Sequence, residues 1–458
     1  MNTSRIVLAV LAIALPGAAS AENLLDIYQR ALQSDPLIRE AEANRMATSE
    51  AAPQARGLLF PQITASGGAS EAGSEGSRVI TNVIGGVVIQ EEVPFEDRNV
   101  EGRNWEVQLT QTVFRWDQIA GLQQAGKRVA QADAQYEAAQ QDLLLRVSER
   151  YFDVLAAEDS LEASEANRIA IAKQLDQSQK RFEVGLIAIT DVQESQAAFD
   201  QSVADEIAAK RTLATATYLL TEITGSRITE LAKPAGQIPL VAPQPANENT
   251  WVDTALGQNL TLVASRIESE IASKEIGVRR GSRYPTLDLV VRRSYNQQDS
   301  EQSFNGSAFS PFAFESDNES IALQFSVPVF SGFRTTSQIR EAVYLHRAAR
   351  ERVQRVSRET ERLTRDAYLG VLTEISRTKA LEQALRSSET ALEATQAGFE
   401  VGTRTTVDVL DAQRNLFNAR TQFLRARYDY LLNVLRLKNA AGSLRVQDLE
   451  TINALLEE

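Results

Sequence analysis

The sequence has no cysteine and one histidine, His346. A transition-metal site with cysteine or histidine ligands, or a nucleophile activated by a cysteine–histidine pair, therefore has almost no support. The absence of cysteine suits an exported protein, which must cross an oxidising compartment without stray thiols. His346 lies in an arginine-rich stretch, where we expect it on a helix surface. With no constellation of catalytic residues in view, we expect neither an enzyme nor a bound cofactor.

Long apolar runs are also absent, except at the start of the chain. Arg5 precedes an unbroken apolar run at 6–15, and Pro16 and an Ala-Ser-Ala triplet follow before Glu22. This layout predicts a cleavable signal peptide over 1–21. Beyond it no run of eighteen apolar residues occurs, so a membrane-spanning helix is not expected. A membrane β-barrel stays open, because strands that alternate apolar and polar residues are hidden in hydropathy averages.

Basic residues are outnumbered by acidic ones. The chain carries 48 Lys and Arg against 61 Asp and Glu, a net charge of -13. Acidity of this size disfavours nucleic acid as a partner.

One motif occurs twice. Phe182-Glu-Val-Gly returns as Phe399-Glu-Val-Gly, and an Asp-Val pair follows each copy at the same offset of 217 positions. A long stretch without proline leads into each motif and a second helix-like stretch leaves it. A glycine between two helical patterns predicts a tight reversal. We therefore predict two similar helical hairpins, whose tips are the most distinctive feature of the sequence.

The stretches that lead into these motifs predict very long helices. Between Gly126 and Gly185 there are 58 residues without glycine or proline, and a helix of that length would extend about 87 Å. Residues 335–397 form the second copy. Apolar residues at spacings of three and four predict coiled-coil-like packing. We divide the chain into the signal peptide at 1–21, a first structural repeat at 22–232, a proline-rich linker at 233–249 and a second repeat at 250–458.

Each repeat also predicts two strands. Residues with alternating polarity follow Phe60-Pro61 and Tyr284-Pro285, where the residue before proline is pushed towards extended geometry. A returning strand follows each, after long polar loops predicted at about 70–103 and 296–318. Four amphipathic strands with open edges would leave backbone groups unpaired in hydrocarbon, so several protomers must pool them.

The two tips and the aromatic–proline pairs resemble the TolC family of outer-membrane channel-tunnels. The resemblance implies a mainly α-helical fold with a transmembrane β-barrel: a homotrimer in which twelve strands form one barrel and twelve helices a periplasmic tunnel. It implies a passive exit duct in the outer membrane of a Gram-negative bacterium, for multidrug efflux, type I protein secretion or both. The implied partners are a periplasmic adaptor, an inner-membrane transporter of the RND, ABC or MFS type, and outer-membrane lipid. The alternatives are a periplasmic coiled-coil adaptor or scaffold, against which the four strands argue, and a secreted enzyme.

The resemblance assigns a gate to the second tip. Asp408 and Asp411 lie at i and i+3, hence on one face of the helix that leaves the tip. In the family, aspartates at these places ring the periplasmic entrance, where they attract cations that can plug the pore. The alternative is local: Thr405 caps the helix, and Asp408 interacts with the helix dipole in its first turn. Both roles are compatible.

The resemblance also implies a constriction network and a docking surface. Arg404 is expected to bond Thr190 and Asp191 and hold the tips closed, and Phe399 stands where the family usually has a tyrosine, so a phenolic hydrogen bond is missing. The local alternatives are a capping box from Thr190 to Gln193 and a solvated Arg404.

Gly185 and Gly402 match the family's tip motifs, against which the adaptor docks. Glycine lets another backbone approach closely. The alternative is that both glycines are simply helix C-caps.

Overall fold

The computed structural model describes residues 21–228, 230–234, 238–308 and 310–456. The predicted signal peptide lies, but for its last residue, outside these ranges. Ten helices and four strands are described: α1 Leu24–Ser34, α2 Pro36–Ser49, α3 Ala51–Gly57, β1 Gln62–Ile84, β2 Val87–Phe114, α4 Trp116–Glu183, α5 Ile189–Thr224, α6 Glu248–Gln258, α7 Leu260–Gly281, β3 Thr286–Phe304, β4 Ser310–Ser326, α8 Arg334–Glu400, α9 Thr406–Ala440 and α10 Val446–Asn453.

These elements form two compact units. The first comprises the described residues up to Asn44, Ala134–Val263 and the chain from Gln354 onward. The second comprises Arg45–Asp133 and Ala264–Val353, and it contains the sheet. Each unit draws on both halves of the chain. The division into two sequence repeats joined by a linker remains a prediction.

The two predicted long helices are confirmed. Helix α4 has 68 residues and α8 has 67, so each is about 100 Å long. Helix α5 ends next to Gly225 and α9 ends two residues before Gly442, and both glycines adopt the left-handed region, with φ angles of 68° and 71°. Within the described residues, no helix has both the length and the apolar character that crossing a bilayer requires.

The core of the first unit is aromatic and leucine-rich. Phe152 lies at its centre, edge-on to Tyr151 at 5.5 Å and stacked on Tyr428 at 5.6 Å between ring centroids. Two tyrosine hydroxyls bond the backbone just before the proline-rich linker and within it. Tyr151 donates to the carbonyl of Ala232 at 2.6 Å, and Tyr430 bonds both backbone groups of Val241. The described part of this linker is therefore fixed to the helices.

The second unit contains one antiparallel sheet in the order β1-β2-β3-β4. The predicted strands are confirmed, but the predicted long polar loops are wrong. β1 and β2 pair, with one register shift between Ala72 and Ser74, up to a turn at Gly85-Gly86, and β3 runs as far as a turn at Asn305-Gly306. Residues with positive φ at both positions suit the tight turn of a hairpin. The polar side chains of the predicted loops therefore belong to long, largely solvent-exposed strands.

The sheet has one apolar and one polar face near its helical end. The cross-strand pairs Leu287–Phe325, Leu289–Leu323 and Val291–Ile321 share one face, and the stacked rings of Trp105 and Tyr295 lie further along it. On the other face Arg292 contacts Gln108 and Glu106. Ile321 is 78% exposed. β1 and β4 each have one edge with no strand partner among the described residues. An apolar face and two open edges require other surfaces to cover them.

Candidate functional site: the two helical tips

The first tip joins α4 to α5 through a glycine turn. Gly185 has φ 75°, its N–H donates to the carbonyl of Phe182 at 2.8 Å, and the N–H of Leu186 donates to the carbonyl of Arg181 at 2.9 Å. These two bonds are those of a Schellman motif, which satisfies the last carbonyls of a helix. The second tip repeats it: Gly402, with φ 81°, donates to Phe399, and Thr403 donates to Gly398. The C-cap roles of both glycines are confirmed.

Both glycines lie in open space within the protomer. A Cβ atom added at Gly185 or Gly402 would meet nothing within 4 Å. The flanking Val184, Leu186 and Val401 are 69%, 72% and 76% exposed. Each tip therefore presents an apolar, unobstructed surface. The adaptor-docking role remains a prediction.

The two predicted gate carboxylates have local partners. Asp408 accepts hydrogen bonds from the backbone N–H of Thr405 at 2.8 Å and from its hydroxyl at 2.9 Å, and the Thr405 hydroxyl in turn accepts from the N–H of Asp408. The predicted cap is confirmed. The hydrogen bonds from Thr405, with a smaller contribution from the charge of Arg404, hold the pKa of Asp408 below its usual range. Asp411 pairs with Arg414 at 2.5 Å, and both side chains are exposed.

The equivalent acid of the first tip is Asp191. Its carboxylate accepts from the backbone N–H of Ala188 at 3.1 Å, so α5 begins at Ile189 and the predicted capping box from Thr190 to Gln193 is wrong. Thr190 lies, exposed, in the first turn instead. Glu194 corresponds to Asp411 at the offset of 217. The sequence interpretation missed it, although the repeat itself points to it.

The predicted bonds from Arg404 to Thr190 and Asp191 are not formed within the described residues of one protomer. The Arg404 backbone N–H instead donates to the carbonyl of Gly398 at 3.2 Å. A Cβ atom at Gly398 would lie 2.8 Å from the Cγ of Arg404, so glycine is required there for this close approach. The constriction network remains a prediction.

A contact between the tips that the sequence did not predict joins Arg181 to Phe399. The Arg181 guanidinium lies over the Phe399 ring at 4.2 Å from its centroid, and it also reaches the Phe399 carbonyl at 3.5 Å. Phe399 is only 6% exposed, whereas its repeat counterpart Phe182 is 42% exposed. Arg181 and Gly398 occupy equivalent positions in the two repeats. Because arginine occupies this position only in the first repeat, a single cation–π contact of this kind links the two hairpins within the described residues.

Packing towards the tips differs from that of the aromatic core. On α4 the core cluster ends at Ala157, and on α9 it begins at Tyr428. Nearer the tips the buried side chains are mostly small or polar: Ala163, Ser164, Gln174, Ser178, Ser195, Ser202, Thr406 and Gln413. Ser178 and Ser195 bond each other across α4 and α5 at 3.0 Å. Segments with few large apolar contacts open more easily than aromatic cores.

Comparison with known proteins agrees with this arrangement. The family model of outer membrane efflux proteins matches residues 27–226 and 251–443. The chain is 35% identical to the outer membrane protein TolC of Vibrio cholerae over 445 residues, which is 97% of this chain and 96% of that protein. It is 29% identical to the alkaline protease secretion protein AprF of Pseudomonas aeruginosa, over 95% and 88% of the two chains.

A solved structure shares the fold. The outer membrane protein VceC of Vibrio cholerae superposes with a TM-score of 0.71 at 18% identity, covering 92% of this chain and 96% of that one. The predicted channel-tunnel fold class is thus confirmed, and the adaptor alternative has no support. The protein is an outer-membrane transport duct rather than an enzyme. The chain belongs to the outer membrane efflux protein family.

Proposed function

We propose that three copies of the chain form one gated exit duct, through which cargo of efflux or type I secretion leaves the cell without chemical change. The observation that carries this proposal is the sheet, with its exposed apolar face and its two open edges. Three such sheets joined edge to edge would close a twelve-stranded barrel in which every inner edge is paired. The apolar face would then meet lipid and the polar face the lumen.

This assembly is tested by heat-modifiable migration of the detergent-extracted protein. The unheated protein is expected to migrate as a trimer and the heated one as a monomer. Leu323→Asp places a charge on the apolar face and should abolish the membrane-inserted trimer, because a charge facing lipid is unfavourable. Gln324→Asp changes the adjacent residue on the polar face and should leave the trimer intact. A fully soluble monomer in the wild type would refute the proposal.

The acids of the second tip form the proposed gate. In a trimer, Asp408 and Asp411 would contribute six carboxylates to the periplasmic entrance, which would attract and bind multivalent cations. The double variant Asp408→Asn and Asp411→Asn should therefore remove cation block in planar bilayers. The matched control is Glu393→Gln, which removes an exposed acid of α8 further from the tip turn. Equal block in all three proteins would exclude these acids from the gate.

The proposed latch consists of Arg404, Thr190 and Asp191. Since the bonds between them are not formed within one protomer, Arg404 would reach these groups across the interface of neighbouring protomers. Arg404→Ser should then raise single-channel conductance. Arg414→Ser, which removes the partner of Asp411, is the control for a general change of charge at the tip. Unchanged conductance in the Arg404 variant would remove this residue from the latch.

The proposed partners are a periplasmic adaptor, which docks on the tips, and an inner-membrane transporter of the RND, ABC or MFS type behind it. Support comes from the open space around Gly185 and Gly402 and from the exposed apolar residues beside them. Gly185→Trp should abolish adaptor co-purification and export while the trimer persists. Gly257 on α6 is equally open, and Gly257→Trp should leave both unchanged. Co-purification retained in the Gly185 variant would contradict docking there.

A further inference from the structure

The β1–β2 hairpin extends beyond the rest of the sheet. β2 and β3 pair as far as Phe95 and Phe304, whereas β1 and β2 continue to the pair Ile84–Val87. These eight further residues correspond to about 27 Å of two-stranded ribbon. A two-stranded ribbon is marginally stable in water by itself. We call residues 77–94 the outer hairpin.

The tip of the outer hairpin is apolar on both faces. The last two pairs are Val83–Val88 and Ile84–Val87, and successive pairs point to opposite faces of a ribbon. These four side chains are 62–66% exposed, and the neighbouring Ile89 is 45% exposed. Five adjacent branched apolar side chains form an exposed patch of the kind that marks an interaction surface.

The base of the outer hairpin is held to the β3–β4 turn, and the strands below it carry two irregularities. Register shifts interrupt the pairing between Ala72 and Ser74 on β1, and between Arg98 and Glu101 on β2. Asn99, within the second shift, has φ 48°. Such bulges bend a strand and increase its twist. The backbone N–H of Asn305, in the β3–β4 turn, donates to the carbonyl of Pro94 at 2.8 Å. The upper part of the sheet, with the outer hairpin at its end, can therefore turn away from the line of the lower sheet at a defined place.

The size of the assembly decides what this tip can reach. This step rests on the proposed trimer. Twelve strands spaced about 4.8 Å apart and tilted about 40° enclose a barrel of roughly 12 Å radius. A ribbon of about 27 Å exceeds that radius, so three outer hairpins bent inward can meet on the threefold axis.

Charge disfavours lipid as the alternative cover. Glu91 and Glu92 lie below the apolar tip, separated from Ile89 by Gln90 and opposite Ile80 and Val79. A hairpin lying in the membrane surface would bring these carboxylates against anionic headgroups and desolvate them. If the three tips instead contact one another, these carboxylates remain on the ribbon in water. We propose that the apolar tips of the three outer hairpins pack against one another and cover the outer mouth of the duct.

Single cysteine substitutions test this proposal cleanly, because the natural chain has none. Ile84→Cys and Val87→Cys, oxidised in reconstituted vesicles, should link two of the three chains of each trimer as a disulfide dimer on denaturing gels. Ser66→Cys on the lower part of β1 is the control, because copies on a wall of roughly 12 Å radius lie about 21 Å apart, beyond disulfide reach. Val83→Asp combined with Val88→Asp should increase conductance, and Thr81→Asp should not.

The outcomes separate the two proposals. Intact trimers that give no dimer with either tip variant would overturn the cover and leave the duct standing. A fluorophore attached to the introduced thiol of the Ile84→Cys or Val87→Cys variant gives a second readout. Quenching of that fluorophore by spin-labelled lipid would place the tip in the bilayer and also overturn the cover. Loss of the trimer in the wild-type protein would instead refute the duct itself.

Discussion

Replacing Arg181 by methionine should loosen the contact between the two helical hairpins. Methionine keeps most of the apolar stem of arginine but removes the charge that lies 4.2 Å from the centroid of Phe399. Because Phe399 is 6% exposed, the contact is largely shielded from water. A cation–π contact in such a place contributes about 1–2 kcal/mol.

That free energy sets the expected size of the effect. A loss of about 1–2 kcal/mol changes an equilibrium by roughly five- to thirtyfold. If the contact favours the closed tips, Arg181→Met should shift the closed-to-open ratio towards open by about this factor for each protomer. Concerted opening of a trimer would multiply the three contributions.

Single-channel recording in planar bilayers measures this shift, and a double-mutant cycle with Phe399→Leu isolates the pair. The coupling free energy should exceed the 0.5 kcal/mol or so that independent sites show. Lys180→Met is the matched control. It removes the neighbouring cation, whose partner Asp176 lies 2.6 Å away on an exposed helix face. Additive effects of the two substitutions, or an open probability as low as that of the control, would refute the role of this contact.

Three further predictions concern the gate and the fold. The pKa of Asp408 is lowered by its cap, so the stability that the cap contributes is present above the unfolded pKa and is lost as the pH falls through the lower folded pKa. Cation block should therefore persist at pH 5 and be lost only below the usual aspartate pKa of about 3.9, and block already lost at pH 6 would contradict this. Tyr151→Phe leaves the buried carbonyl of Ala232 without its donor and should lower the free energy of unfolding in urea by about 1–2 kcal/mol, while Tyr218→Phe, at a position 73% exposed, should change it little. Gly442→Ala would place a Cβ atom 2.5 Å from the carbonyl of Gln258 as well as straining the backbone, so its melting temperature should fall clearly further than that of Gly402→Ala, which shares only the strain; equal losses would show that packing at Gly442 is unimportant.

The helices could be predicted because their signals are local. A long stretch without glycine or proline that ends at a glycine is sufficient to specify helices such as α4 and α5, although α4 also continues through Gly121 and Gly126 to begin at Trp116. The cap between Thr405 and Asp408 spans three residues and was equally predictable. At the first tip the same arrangement begins at Ala188, which has no side-chain acceptor, so the usual sequence signal of a cap is missing there.

The extent of the strands was not predictable from composition. Residues 70–103 are rich in glycine, serine and acids, which is typical of loops, but in a sheet with water on one or both faces those residues are compatible with long strands. The better signals were the turns themselves. Gly85-Gly86 and Asn305-Gly306 are dipeptides that favour two-residue hairpin turns, and weighing them above polarity would have extended all four strands.

The contact between Arg181 and Phe399 could not have been predicted from local patterns, since it joins residues 218 positions apart. The repeat nevertheless locates it. Equivalent positions of a duplicated hairpin are expected to behave alike, and here one copy has arginine where the other has Gly398. Gly398 leaves room for the side chain of Arg404 in the turn of the second tip. Arg181 contacts the ring of Phe399, which follows Gly398 in the sequence. Positions at which the two repeats carry different residues, such as Arg181 and Gly398, thus indicate where the two hairpins make different contacts.

The difference in packing between the aromatic core and the tips indicates where the duct can open. The aromatic core around Phe152 fixes the helices by burying large rings and by bonding the linker, so movement there would expose extensive apolar surface. Towards the tips the buried layers are mostly serine, glutamine, threonine and alanine, with few larger apolar side chains such as Phe399 and Val409. Their separation exposes less apolar area than at the core and leaves polar groups that water can satisfy. Movement at the tips therefore costs less free energy than movement at the core. A single directional contact, such as that of Arg181 with Phe399, is then a larger share of the free energy that holds the tips together.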